Sequence, residues 1–365
     1  MHVTSLELRQ FRSYERLELT PGEGMNVFVG QNAVGKTNLL EALHLCCTAR
    51  SHRTSRDEEM IRWGQRGGFV RVRTLQRDGT HEISVHLTRE RGQKKTVRIA
   101  QRQAERIGEL FGHVFGVLFS PEDLFLIKGG PSERRRFLDM QLSQLRPDYF
   151  YALQRAARAL NQRNALLREI EHRPSMRSTL DLWDEQLAEA GATVAAGREQ
   201  FVGALQELAR EEHAFLTDGR ERLTLGMVGV ASGAPDPKAV LLERLRATRQ
   251  EDLRRGTTTT GVHRDDLALA INGKDARLYA SQGQQRTAVL ALKLAQTAFA
   301  RREKGETPIL MLDDVMSELD PERRRQLCAR IDTMQTFVTC TDLSDLAGAS
   351  DGRRYAVHAG GIEPM

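Results

Sequence analysis

Cysteine is scarce in this 365-residue chain: Cys46, Cys47, Cys328 and Cys340 are its four, and none forms a C-x-x-C pair. That excludes a disulfide framework and a thiolate zinc knot, and free, buried thiols in a reducing compartment are expected. Aromatic residues make up only 5% of the chain, which does not favour a platform that stacks single-stranded bases. No apolar run approaches the roughly 20 residues that span a bilayer, so no membrane partner is expected. The opening Met1-His2-Val3-Thr4-Ser5-Leu6-Glu7 has neither a basic n-region nor an apolar h-region, and a cytoplasmic location follows as the expectation. Lysine supplies only 8 of the 54 basic residues. Coding bias produces such arginine richness too, so the count alone is no signature of phosphate recognition.

What the chain does have is ordinary globular chemistry with a mild basic excess. Hydrophobic residues at 40% and charged residues at 28% suit a folded domain. The net charge of +5 permits nucleic-acid binding without requiring it. At this length two domains are the prior expectation.

The most informative segment is Gly30-Gln31-Asn32-Ala33-Val34-Gly35-Lys36-Thr37, which reads G-x-x-x-x-G-K-[ST]. Its glycines permit close backbone approach, so successive amides can form an anion nest. Lys36 can reach the β- and γ-phosphates of ATP, and the Thr37 hydroxyl can join the shell of Mg²⁺. The context fits, with an apolar run Met25–Val29 before the loop and an amphipathic Asn38–Leu43 after it. Strand, loop and helix N-terminus together favour an anion.

Alternating runs predict further strands at Val3–Leu8, Leu17–Leu19, Phe69–Thr74, Ile83–Leu87 and Val97–Ile99, with a hairpin turn at Asp78-Gly79. They read as an antiparallel meander flanking a parallel nucleotide-binding sheet. After Gly129-Gly130-Pro131, helical signals dominate to about Arg254. Leu180, Leu187, Val194, Phe201 and Leu208 fall at whole heptads, predicting a helix of about 36 residues, roughly 54 Å long. This insertion reads equally as a projecting arm or a compact bundle. Gly226–Pro237 reads as a loop. Strand character returns at Leu267–Ile271, Pro308–Leu312 and Thr336–Cys340, with a helix from about Gln282 to Arg301.

Asp313 and Asp314 end the apolar strand, where ligands gather in open α/β sheets. The first can hold Mg²⁺ and the second can orient the attacking water. Ser281-Gln282-Gly283-Gln284-Gln285 opens a helix, and Ser317-Glu318-Leu319-Asp320 follows the acidic pair. Taken singly, these last two are ordinary helix starts.

In this order, phosphate loop, S-Q-G-Q-Q, Asp-Asp strand and S-E-L-D resemble the head of the ABC-type ATPases, in the branch of the structural-maintenance-of-chromosomes proteins. Five further segments look like the bacterial RecF recombination-mediator family: Phe11-Arg12-Ser13-Tyr14, Phe119-Ser120-Pro121-Glu122-Asp123-Leu124, Gly130-Pro131 with Arg134-Arg135-Arg136 and Asp139, Gly261-Val262-His263-Arg264-Asp265-Asp266, and the extended loop itself. The resemblance spans both ends of the chain. It implies an α/β fold, an ABC/SMC-type P-loop ATPase head whose mixed sheet carries an antiparallel β-subdomain, with an inserted helical arm. The head is expected over 1–128 and 262–365 and the arm or lid over 129–261.

By the same resemblance, Ser281, Gly283 and Gln284 would act in trans on ATP held at Gly30 to Thr37 of a second copy, giving an ATP-dependent homodimer. Asp314 stands where the broader class carries a catalytic Glu, implying slow turnover. RecR, RecO and RecA are the implied partners, in repair and replication restart at single-stranded gaps and in the SOS response. Duplex DNA or a single-strand/duplex junction is the expected sequence-independent ligand, single strands being a further option. Arg134, Arg135, Arg136, Arg146, Arg155, Arg158, Arg163 and Arg168 are the candidate phosphate contacts. Two rivals are a transporter's nucleotide-binding subunit, for which the insertion is too large, and a structural DNA-binding protein with a vestigial site.

Overall fold

Apolar-polar alternation dominates the first third, and it folds as strands. In the computed structural model, which describes residues 1–90, 92–346 and 352–365, the chain opens with β1 (His2–Phe11), β2 (Tyr14–Leu19), β3 (Met25–Val29) and α1 (Lys36–Thr48). There follow β4 (Gly67–Gln76), β5 (Gly79–Thr88), β6 (Thr96–Ile99), β7 (Arg102–Gln103) and β8 (Gly116–Phe119). The middle is α2 (Phe125–Lys128), α3 (Pro131–Leu145), α4 (Pro147–Ile170), α5 (Leu180–Leu216), β9 (Leu223–Val228), α6 (Pro237–Ala247) and α7 (Arg249–Arg255). Then come β10 (Asp266–Ile271), β11 (Lys274–Asp275), α8 (Ala276–Tyr279), α9 (Gln282–Lys304) and β12 (Ile309–Asp313). The chain closes with α10 (Pro321–Ile331), β13 (Thr336–Cys340), β14 (Arg353–His358) and β15 (Gly361–Pro364).

Two compact units result. The first comprises Met1–Asp123, Glu212–Arg220 and Val289–Met365. It holds a six-stranded antiparallel sheet ordered β2-β1-β4-β5-β6-β7 and a second six-stranded sheet ordered β15-β14-β3-β13-β12-β8. The second sheet is parallel from β14 to β8 and closes with the antiparallel β14–β15 hairpin. Helix α1 packs on β1, β4 and β5 of one sheet and on β8, β12 and β13 of the other. Its Leu39, Leu40, Ala42, Leu43, Leu45, Cys46 and Cys47 are all buried, because apolar residues circle the helix. Each such leucine contributes about 1.5–3 kcal/mol by leaving water. Burial pushes the Cys47 thiol up to about 12, so it stays protonated.

The second unit comprises Leu124–Glu211 and Glu221–Ala288. Its long helix α5 has 37 residues, and Leu180, Leu187, Val194, Phe201 and Leu208 are buried as the heptads require. The arginine Arg163 on α4 ties α5 to α7 by bonding Asp184 at 2.6 Å and Asp252 at 2.8 Å. A three-stranded sheet ordered β11-β10-β9 completes the unit. The stretch expected as a loop from Gly226 is strand through Val228. Its backbone pairs with β10, Gly226 lying opposite Ala268. Residues 262–288, expected with the ATPase head, pack with the helices here for the same reason. Arg134 adds a two-pronged ion pair to Asp266 at 2.6 and 2.8 Å.

Candidate nucleotide site

The sheet order puts β3, with the glycine loop behind it, beside β13, and β13 beside β12. In that register Asp313 faces Thr339 and Val29 faces Cys340. The loop is anchored where Gly30 N–H donates to the Cys340 carbonyl at 3.3 Å. A Cβ at Gly30 would lie 2.5 Å from the Val357 carbonyl oxygen, so only glycine fits. Gly35 (φ +120°) and Ala33 (φ +67°) turn the chain into α1. Gly35 is the N-cap, with no side-chain cap bond and no acidic residue in the first turn. The helix therefore presents uncapped amides and its positive end, as an anion requires.

The Phe11-Arg12-Ser13-Tyr14 segment supports this turn. The Tyr14 hydroxyl donates to the Gly35 carbonyl at 3.1 Å, and Asn38 Nδ2 donates to Ser13 Oγ at 3.0 Å. Arg12 grips the fully buried Glu41 of α1 through Nε (2.8 Å) and Nη2 (2.7 Å). Lys36 Nζ donates to the carbonyls of Gly30 and, at 3.2 Å, Gln31.

Thr37 Oγ1 donates to Asp313 Oδ1 at 3.0 Å, joining the loop to the end of β12. Thr339 does double duty: its hydroxyl donates to Asp313 at 2.7 Å and accepts from the Asp314 N–H at 2.9 Å. Sequence reasoning missed Thr339, whose only signal was its place at the end of the next apolar strand. Burial raises the Asp313 carboxyl, the hydroxyls of Thr339 and Thr37 pull it back, and the charges of Glu122 and Asp314 push it up again. Asp314 adopts a left-handed φ of +53°. One of its carboxylate oxygens, Oδ1, is buried without a hydrogen-bond partner. A strained residue with an orphaned acceptor beside a phosphate loop fits a site that receives a donor from a ligand or water. Hydroxyl and carboxylate oxygens are also the hard donor set suited to Mg²⁺.

After β8 the Phe119–Leu124 segment makes a single helical turn over Pro121–Leu124. Asp123 caps that turn by accepting from Ser120 N–H at 2.8 Å and pairs with Lys293 at 2.7 Å. Asp320 caps α10, accepting from the amides of Glu322 and Arg323 at 3.1 and 3.0 Å.

In the second unit, Ser281 and Gln284 form a reciprocal capping box at the start of α9. Ser281 N–H donates to Gln284 Oε1 at 2.8 Å, and Gln284 N–H donates to Ser281 Oγ at 3.3 Å. Ser281 is exposed, and so, beside it, are Leu278 (71%) and Tyr279 (69%). The candidate DNA arginines divide. Arg134 and Arg163 are buried in ion pairs and cannot meet a phosphate. Arg135 donates to the Asp265 carbonyl at 2.6 Å and Arg146 to Gln200 at 3.1 Å. Arg136, Arg155, Arg158 and Arg168 are exposed.

Known proteins are similar to this chain in sequence and in fold. The family described as RecF/RecN/SMC N terminal domain matches residues 2–357. A DNA replication and repair protein RecF of Symbiobacterium thermophilum is 45% identical over 374 aligned residues, covering 99% of this chain and 98% of its own. That of Ruminiclostridium cellulolyticum is 41% identical, covering 94% and 93%. A solved structure of the recombination mediator protein RecF with ATP, in the RecFOR pathway, superposes with TM-score 0.92 at 32% identity over 100% of this chain and 97% of that one. An Smc head domain from Pyrococcus furiosus shares the fold, with TM-score 0.59 at 17% identity, covering 100% and 96%. By sequence along nearly its whole length and by fold, the chain belongs to the RecF family of SMC-like ATPase heads.

Proposed function

We propose that this protein is an ATP-dependent DNA clamp of recombinational repair. The observation that carries the reading is the bond from Thr37 to Asp313, which joins the phosphate loop to the acidic strand end. The RecF relatives are named as DNA replication and repair proteins, and RecF structures are described with ATP and with ATPrS.

Residues Gly30 to Thr37 cradle the triphosphate, and Lys36 leaves its carbonyls for the β- and γ-phosphates. Thr37 and Asp313 would hold Mg²⁺, which neutralises phosphate charge when bound. Asp314 orients the attacking water; as the shorter acid it does so weakly, and turnover is slow. Ser281 and Gly283 of a second copy close on the γ-phosphate, and the exposed Leu278 and Tyr279 are apolar surface for that contact. ATP then favours the homodimer by linkage, because it binds two heads better than one.

DNA is held by phosphate contacts from Arg136, Arg155, Arg158 and Arg168, without sequence preference, and it stimulates hydrolysis. Duplex or junction DNA, RecO and RecR as pathway partners, RecA loading at gaps, support of the SOS response and a cytoplasmic location complete the reading.

The test is ATP hydrolysis with and without duplex DNA, together with light scattering with and without ATP. Slow, DNA-stimulated turnover and an ATP-dependent doubling of mass are expected, both lost in Lys36→Ala. Dimerisation of Lys36→Ala on ATP addition would defeat the clamp.

A further inference from the structure

Outside the nucleotide site, two imidazoles face each other at one end of the antiparallel sheet. His81 lies on β5, just past the hairpin turn, opposite Thr74 of β4. His113 lies in the segment leading into β8, after Gly112 with its φ of +93°. Both backbones are fixed. The ladder holds His81, while the Gln76 side-chain amide donates to the His113 carbonyl and His113 N–H donates to the Leu110 carbonyl at 3.3 Å.

The ring nitrogens meet Nδ1 to Nδ1 at 3.4 Å, with ring centroids 5.7 Å apart. An N–H hydrogen bond is ordinarily shorter, about 2.9–3.0 Å. Two nitrogens sharing one tetrahedral metal, each at about 2.0–2.1 Å, stand about 3.3–3.4 Å apart. The far side of His81 is also set: its Nε2 lies 2.9 Å from Asp78 Oδ1. Donation to that carboxylate puts the proton on Nε2 and leaves the Nδ1 lone pair facing His113. Carboxylate, histidine and open lone pair form the outer-shell arrangement typical of metal-binding histidines.

We propose that His81 and His113 clamp a late first-row divalent cation of the Zn²⁺ class, with Asp78 as the orienting carboxylate. An imidazole pair selects such ions over Mg²⁺ or Ca²⁺, so this site is chemically separate from Thr37 and Asp313. Among the described residues no three such side chains converge here, so water completes the shell. Arg102 faces His113 and acts against the cation; Asp78 acts for it. Both rings are half-buried and reachable from solvent. The bound ion would cross-link the β4–β5 hairpin end to the segment entering β8.

The test is calorimetric titration of the metal-free full-length protein with Zn²⁺. One equivalent is expected to bind and to raise the melting temperature. Both effects should vanish in His81→Ala and His113→Ala, while Asp78→Asn binds roughly 10- to 100-fold more weakly. Excess Mg²⁺ should not compete. Should an alanine variant fail to fold, electron paramagnetic resonance of Cu²⁺ on the unaltered protein decides, with two imidazole nitrogens expected. No saturable equivalent, retention of it in His113→Ala, or a Cu²⁺ spectrum with fewer than two nitrogens would reduce the pair to a simple contact.

Discussion

Two carboxylate clusters in this protein are built on opposite terms. In the helical unit, Asp184 and Asp252 are fully buried and meet Arg163, itself 0% exposed, at 2.6 and 2.8 Å. Thr258 and Thr259 hydroxyls fill further positions at 2.9 and 2.6 Å. In the nucleotide site, the Asp313 carboxylate accepts from the hydroxyls of Thr37 and Thr339, Asp314 donates its backbone N–H to Thr339, and no ion pair reaches either among the described residues. One Asp314 oxygen has no partner at all. The first cluster has its cation built in and serves structure. The second has no such cation, and desolvation works against the ionisation of Asp313. Buried charge with a complete shell holds a fold together; buried charge with an incomplete one waits for chemistry.

The strongest challenge to this contrast is Arg163→Ala. It takes the arginine partner from the buried Asp252 and leaves Asp184 to Arg249 alone, and a loss of about 3–5 kcal/mol in denaturant unfolding is expected; a loss under about 1 kcal/mol would erase the distinction. Lys36→Ala should do the reverse. Nucleotide affinity, followed with a fluorescent ATP analogue, should fall about 10- to 100-fold, the worth of a charged hydrogen bond at ~1.5–3 kcal/mol. Its unfolding midpoint should stay within about 0.5 kcal/mol of the parent's. Thr339→Val removes a donor to Asp313 and an acceptor from Asp314, and should cost about 1–3 kcal/mol of stability together with ATP turnover.

Much of the site is legible in the residues alone, and the reason is local. The phosphate loop is one contiguous segment whose chemistry needs those residue types at that spacing. The strands on either side and the 37-residue α5 follow from periodicity of nearby residues. What escapes depends on distance. Thr339 matters because β12 and β13 are in register, which no spacing states. Arg163 has the look of a surface arginine on a basic helix, but its partners lie 21 and 89 residues away. Likewise β9 is hidden, because Gly226 and the glycines and prolines beyond it read as loop until β10 supplies a partner.

Two finer measurements sharpen the comparison. Burial keeps His263 in the helical unit below its ordinary range, although its hydrogen bond to the Thr258 carbonyl pulls it up. Unfolding therefore takes up a proton near neutrality. The stability this contributes is complete above the unfolded value of ~6.5 and is lost as pH falls through and below it. Chemical denaturation at pH 7.5, 6.5 and 5.5 should show that slope, and His263→Gln should flatten it. Smallest of all, Arg155→Ala and Arg158→Ala should leave stability unchanged. Each should reduce the salt slope of DNA binding by about 0.9, the share of one phosphate contact; an unaltered slope would return these residues to a solvated helix face.

The place of β3 sets an order of events during synthesis. That strand emerges early, yet its two neighbours in the sheet, β13 and β14, are made last. Even the seat beneath Gly30 is a carbonyl of Val357. A nascent chain can assemble its antiparallel meander on the ribosome, but its phosphate-binding loop has nothing to rest on until the final strands arrive. On the proposed reading, unfinished copies would be silent toward nucleotide, and a truncated product would not compete with the whole protein for its ligand.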